Sequence, residues 1–145
     1  MSPGRLYPER PMIGVGTLIR RGEEYLLIKR AAEPDRGLWS VPGGMVELGE
    51  KTSEAAVREA EEETGLVVEI LEDLGVVDKI VLDDGGRVKY HFVIIDYLAE
   101  PVSGVMHNHD DALDARWVHP RDFRKYEISQ TLVDLLKKID LYPKF

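Results

Sequence analysis

The chain has no cysteine among its 145 residues. Disulfides, thiol nucleophiles and thiolate metal sites are therefore excluded. Positive charge is also scarce: 19 Lys and Arg against 27 Asp and Glu leave a formal net charge of −8. A broad nucleic-acid surface rests on clustered Lys and Arg, so no nucleic-acid partner is expected. A small anionic ligand stays open, because a metal ion can neutralise its charge. No apolar run approaches a membrane span, and the opening "MSPGRLYPERP" lacks the apolar centre of a signal peptide. The expectation is a cytoplasmic globular protein with no membrane partner. Internal repeats and low-complexity tracts are missing too. What is there is ordinary for a globular fold: 43% hydrophobic and 32% charged residues. The length suits one domain, residues 1–145, with a core of its own.

Residues 1–11, with their prolines and arginines, read as an extended arm. "MIGVGTLIR" (12–20) and "EYLLIKR" (24–30) read as strands joined by a turn. "AAEPDRG" (31–37) is a loop, and "LWSVPGG" starts as a short strand that breaks at Pro42-Gly43-Gly44. Thr52 or Ser53 can cap a helix that runs from about 53 to 64, and Gly65 suits its stop. Residues 67–82 are strand-like with a break at Gly75. "DDGGR" (83–87) predicts a hairpin turn leading into a long strand, 88–100. Residues 103–114 read as a loop, "ARWVHP" as a short strand, and 128–141 as a helix with Ile128, Leu132, Leu135, Leu136 and Ile139 at helical spacing. This order predicts a mixed sheet between helices.

The segment "GGMVELGEKTSEAAVREAEEETGL" (43–66) is crowded with acids. Like charges on one helix face repel, so the segment is either a solvated acidic face or a site whose acids share a cation. On a 3.6-residue wheel Glu59, Glu62 and Glu63 share one face, beside an apolar one built from Val57, Ala60 and Thr64. Glu54 and Glu61 point to water, and Glu47 has no assigned place. Spacing alone weighs the two readings evenly. Two features favour a cation: the backbone carbonyls at Gly43-Gly44 just upstream, and a set of oxygens without His or Cys, which suits Mg²⁺ or Mn²⁺. A bound cation would then be what relieves the repulsion. Arg58 can hold one carboxylate in place.

Gly44, Glu50, Arg58, Glu59, Glu62, Glu63, Gly65 and Leu66 stand at the spacing of the Nudix box, and the chain resembles the Nudix hydrolases of MutT-like type. Ala60 departs softly from the pattern, where a larger aliphatic is usual. "LIKRAAEPDRGLWSVPGG" is similar to the segment before the box in those enzymes, and "DDALDARWV" to the region before their last strand. The resemblance spans residues 12 to about 140. It implies an α+β fold, an αβα sandwich around a mixed sheet, with residues 44–66 as loop–helix–loop. It implies hydrolysis of a nucleoside diphosphate linked to a group X. Glu59, Glu62 and Glu63 would bind Mg²⁺ or Mn²⁺ with the Gly44 carbonyl, while Glu50 and Arg58 would fix the loop and orient Glu59. Glu59, Glu62 and Arg58 would carry the chemistry, with a general base drawn from the box or from an acid of the "HDDALD" loop, Asp110 or Asp111. The arm at 1–11 can reach a second copy, which leaves a homodimer open.

The group X is less legible. Arg30 can pair with a substrate phosphate or be a strand-end surface residue. Trp39 can stack on a base or pack in the core. Near the last helix Glu127 stands where guanine-selective relatives carry an Asn, which weakens oxidised-guanine sanitation; an acid there can bind substrate by accepting a bond from an exocyclic amine of the base. The Pro and Tyr that mark two other subgroups after the box are absent. The overall pattern most resembles the ADP-ribose pyrophosphatase-like group. A small nucleotide such as ADP-ribose is the expected substrate, a nucleoside triphosphate the second reading, and binding without hydrolysis the third.

Overall fold

The computed structural model describes residues 5–107 and 112–142. Aliphatic residues dominate Met12–Arg21 and Glu24–Arg30, which form β1 and β2. They pair antiparallel, Arg20 opposite Tyr25, through a tight turn in which Gly22 takes a φ of 62°. Trp39–Ser40 and Gly43–Met45 are β3 and β4. The long strands Leu66–Leu82 and Val88–Gly104 are β5 and β6, and Ala112–Val118 is β7. The sheet order is β3-β2-β1-β6-β5, with β4 also on β1 and β7 on β2. β1 and β6 run parallel and the other pairs antiparallel, so the sheet is mixed.

Alternation along β1 assigns its two faces. Ile19 packs with Ala60, and Val57 beside it, from helix α1 (Thr52–Thr64), while Val15 packs with Ala55 and Ala56. Thr17 on the same face donates from Oγ1 to the Ala56 carbonyl at 2.9 Å. Leu18 points the other way. It joins Phe123 of a 3₁₀ helix (Pro120–Lys125) and Leu132, Leu135 and Leu136 of helix α2 (Gln130–Lys138). Helices therefore cover both faces of the mixed sheet, the α+β sandwich expected from the resemblance.

Several local expectations need correction. The short strand does stop before Pro42, but Gly43 and Gly44 belong to a new strand rather than to the break, because their bare backbones can lie close against neighbours. A Cβ on Gly43 would stand 2.3 Å from the Val15 carbonyl oxygen. Helix α1 starts one residue earlier, and its N-cap is Lys51 rather than Thr52 or Ser53. The Glu54 carboxylate, exposed to water as expected, also reaches back to accept the Lys51 N–H at 3.0 Å and so helps close the first turn. Gly65 ends the helix in the left-handed region, φ 81°, as expected. Gly75, φ 87°, bulges β5 without interrupting it; the Asp73 carboxylate takes its N–H at 2.8 Å. Strand β6 runs on to Gly104, past the expected end. Helix α2 begins only at Gln130, because Ser129 caps it by accepting the Leu132 N–H at 3.2 Å and Ile128 bridges to Trp39.

Candidate active site

The site is built around one cation of the chain itself. Helical spacing puts Arg58 beside Glu59 and one turn before Glu62, and the loop from β4 to α1 brings Glu50 to meet it. Arg58 Nε donates to Glu50 Oε2 at 2.7 Å and Nη2 to Glu50 Oε1 at 3.0 Å, a two-pronged pair. Nη1 donates to Glu59 Oε1 at 2.8 Å and to Glu62 Oε2 at 3.3 Å, while Nη2 also reaches the Met45 carbonyl at 3.0 Å. Glu47, unplaced by sequence, lies 3.8 Å from Nη1 and gives its N–H to Glu50 at 3.0 Å. The repulsion expected within this segment is thus relieved by Arg58, rather than only by a bound ion. The same contacts shift both groups. Arg58 holds the Glu50 carboxyl down at about 2, helped by the Glu47 N–H. Glu50, then Glu59, raises the guanidinium further while burial opposes them.

The three box acids sit at graded depth. Glu63 is 8% exposed and accepts the Gly43 N–H at 3.3 Å. The Glu59 side chain is 14% exposed and lies against Gly44, where a Cβ would stand 2.4 Å from its carboxyl carbon. The Glu62 side chain is 59% exposed, at the rim. All three line one cavity of about 280 Å³ together with Gly44 and Arg30. Among the described residues, no three His, Asp or Glu side chains form a finished cage for an ion. The donor set still fits Mg²⁺ or Mn²⁺, which take a few carboxylates and complete their shell with water and substrate phosphate. Close approach at Gly44, which only a residue without Cβ allows, keeps the Glu59 carboxylate and the backbone in one wall of the cavity.

Of the residues expected to touch the remainder of a substrate, Arg30 lines the cavity, with its Nε committed to the Pro34 carbonyl at 2.8 Å. Trp39 does not line it. Its ring packs edge-on against Tyr126 at 5.1 Å, and its backbone N–H donates to the Glu127 carbonyl at 2.8 Å. Glu127 likewise lies outside the cavity, and the contact the structure shows for it is that backbone one. Asp110 and Asp111 fall outside the described residues. Lys79 and Asp96 are among the lining residues that the sequence did not single out. Lys79 on β5 donates from Nζ to the Asp35 carboxylate and to Thr131 Oγ1 (3.1 Å), tying a loop, a strand and α2 together. Asp96 on β6 is 3% exposed; the signal was a single acid inside the apolar run "HFVIIDYLAE".

A family model for the NUDIX domain matches residues 10–138. An ADP-ribose pyrophosphatase from Methanocaldococcus jannaschii is 37% identical over 113 residues, covering 78% of this chain and 64% of its own. The mouse 8-oxo-dGDP phosphatase NUDT18 is 33% identical over 125 residues, 83% of this chain and 36% of its own. The chain therefore spans less than two thirds of either relative. A solved MutT NUDIX hydrolase from Burkholderia pseudomallei superimposes with a TM-score of 0.76 at 32% identity, covering 90% of this chain and 99% of that one.

Proposed function

The chain belongs to the NUDIX domain family, and on that premise we propose that it is a metal-dependent pyrophosphohydrolase. It cleaves the diphosphate bond of a nucleoside diphosphate linked to X, with ADP-ribose as the substrate first in line. The observation that carries this is the single cavity wall holding Glu59, Glu62, Glu63 and Gly44, braced by Arg58 and Glu50. Similarity to an ADP-ribose pyrophosphatase supports the choice of substrate.

Glu59, Glu62 and Glu63, with the Gly44 carbonyl, would hold Mg²⁺ or Mn²⁺. Bound there, the ion offsets the charge by which a pyrophosphate repels an attacking water. Arg58 fixes the position of the Glu59 carboxylate, and Glu50 fixes Arg58, so the acids need no rearrangement of their supports during the reaction. A box glutamate such as Glu62, or Asp110 or Asp111, takes the proton from water. Arg30, at the cavity edge, meets a phosphate oxygen. The partner is a small nucleotide.

A nucleoside triphosphate, such as a modified deoxynucleoside triphosphate, is the second reading; similarity to an 8-oxo-dGDP phosphatase supports a modified deoxynucleotide as substrate. Incubation with Mg²⁺ and a nucleotide panel separates them. ADP-ribose should give AMP and ribose phosphate; a triphosphate would give a monophosphate and pyrophosphate. Turnover of none of them would leave a nucleotide-binding module.

A further inference from the structure

The cavity has a second end, and Asp96 stands in it. Asp96, Gly16 and Gly43 are register partners on the adjacent strands β6, β1 and β4. Asp96 is therefore two strand spacings, about 10 Å, from the box loop. Its Oδ2 is buried and has no hydrogen-bond partner among the described residues. Buried polar atoms are nearly always paired, so an orphan of this kind calls for a partner. Gly16 opposite leaves the floor open: a Cβ there would stand 2.3 Å from Asp96 Oδ1 and 3.3 Å from Val41. The apolar lining of the cavity comes from Ile28, Val41, Phe92, Ile94, Leu132 and Leu135; Val41 faces Gly16, and Phe92 and Ile94 share one face of β6 with Asp96. Lys79, opposite Phe92, is paired with Asp35 and Thr131. Apolar walls with a few polar groups suit a flat heterocycle.

We propose that Asp96 is the specificity-determining contact for the nucleobase, its carboxyl pairing with an exocyclic amine and the ring nitrogen beside it, as on adenine or cytosine. The proposal rests on reading the cavity as a nucleotide site. A protonated carboxyl has one donor and one acceptor side by side, which complements that edge; a purine without the amine leaves the carboxyl's acceptor unfilled. Burial lifts the Asp96 carboxyl to about 7, against the opposing charge of Lys138 on α2, so a protonated form is at hand near neutral pH. Lys138 does not neutralise it by contact, as its Nζ donates to the Val76 carbonyl at 3.1 Å.

The test is titration calorimetry of AMP and of purine riboside 5′-monophosphate, its analogue without the exocyclic amine, neither of which has a diphosphate to cleave, into the full chain with Mg²⁺. The wild type should bind AMP at least tenfold tighter than the amine-free analogue. Asp96→Asn, whose amide offers the same donor and acceptor, should keep that ratio. Asp96→Leu should bring it close to one, and Asp96→Ala replaces it if circular dichroism shows the leucine variant unfolded. A wild type without preference, or a preference that survives loss of the polar side chain, overturns the proposal. Base preference that depends on Asp96 with no turnover of any diphosphate would sustain the proposal and defeat the enzymatic reading. Turnover without base preference would do the reverse.

Discussion

Arg58 sets the behaviour of the acids around it. It bonds three carboxylates and one backbone carbonyl, a pattern that a lysine, with one compact charge, cannot reproduce. Arg58→Lys should lower turnover by about 10- to 100-fold, the usual cost of losing a group that orients a metal-binding side chain. Steady-state kinetics checks this, and an unchanged kcat would remove Arg58 from the orienting role. Glu61, exposed on the helix, should be dispensable. Glu59→Gln, by contrast, loses an ion pair at 2.8 Å, so it should stop hydrolysis without the gain in metal-free stability that unrelieved repulsion would have given.

Two carboxyls give pH dependence of opposite sign. Asp96 sits at about 7 in the folded chain against an ordinary 3.8. Between those values the folded chain holds a proton that the unfolded chain has released, so this group's contribution to stability falls as pH rises, by up to roughly 4 kcal/mol. The stability advantage of Asp96→Asn over wild type, from urea unfolding without metal, should widen from pH 4.5 to pH 8. A constant difference would contradict the burial argument. Glu50 is held at about 2 against 4.5, so its contribution is present above about 4.5 and lost as pH falls toward 2.

The glycine pair of β4 matters at the level of elements. A Cβ on Gly43 meets backbone, the Val15 carbonyl oxygen at 2.3 Å, whereas on Gly44 it meets the movable end of Glu59 at 2.4 Å. Gly43→Ala should therefore destabilise the fold by about 1–3 kcal/mol or more, since strands must shift apart. Gly44→Ala should keep most of the stability and lose at least tenfold in turnover as Glu59 swings away. Thermal unfolding and kinetics of both variants separate the cases; equal losses in both measures would contradict the distinction. The glycines were visible in the sequence, but reading them as a break rather than a strand followed from propensity, which close strand packing overrode. Gly75 is the same lesson on β5, where a positive φ is absorbed by a bulge. The 3₁₀ helix at Pro120–Lys125 was missed because six residues give too short a period to read.

For the molecule as a whole, alternation and turn chemistry were enough to place most strands and both helices, and the box residues were legible because their spacing is local. Contacts made across the sheet were not. Asp96 and Lys79 reach the cavity from the long β5–β6 hairpin, far in sequence from Glu59, and Trp39 lies away from the cavity although it flanks the box in sequence. The described part of the N-terminal arm lies on its own chain, with the Tyr7 hydroxyl 2.8 Å from Asp83 and its N–H on the Lys89 carbonyl. No helix among the described residues is long and apolar enough to cross a membrane.

The central claim is that the acids braced by Arg58 hold a divalent ion for cleavage of a nucleotide diphosphate. The most direct measurement is product analysis of ADP-ribose incubated with wild type and Glu59→Gln, with Mg²⁺ and with EDTA. Wild type with Mg²⁺ alone should give AMP and ribose phosphate, and the variant should lose at least about 10³-fold, the scale of removing a group that stabilises the transition state. Cleavage that persists in EDTA, or that the folded Glu59→Gln variant retains, would contradict it.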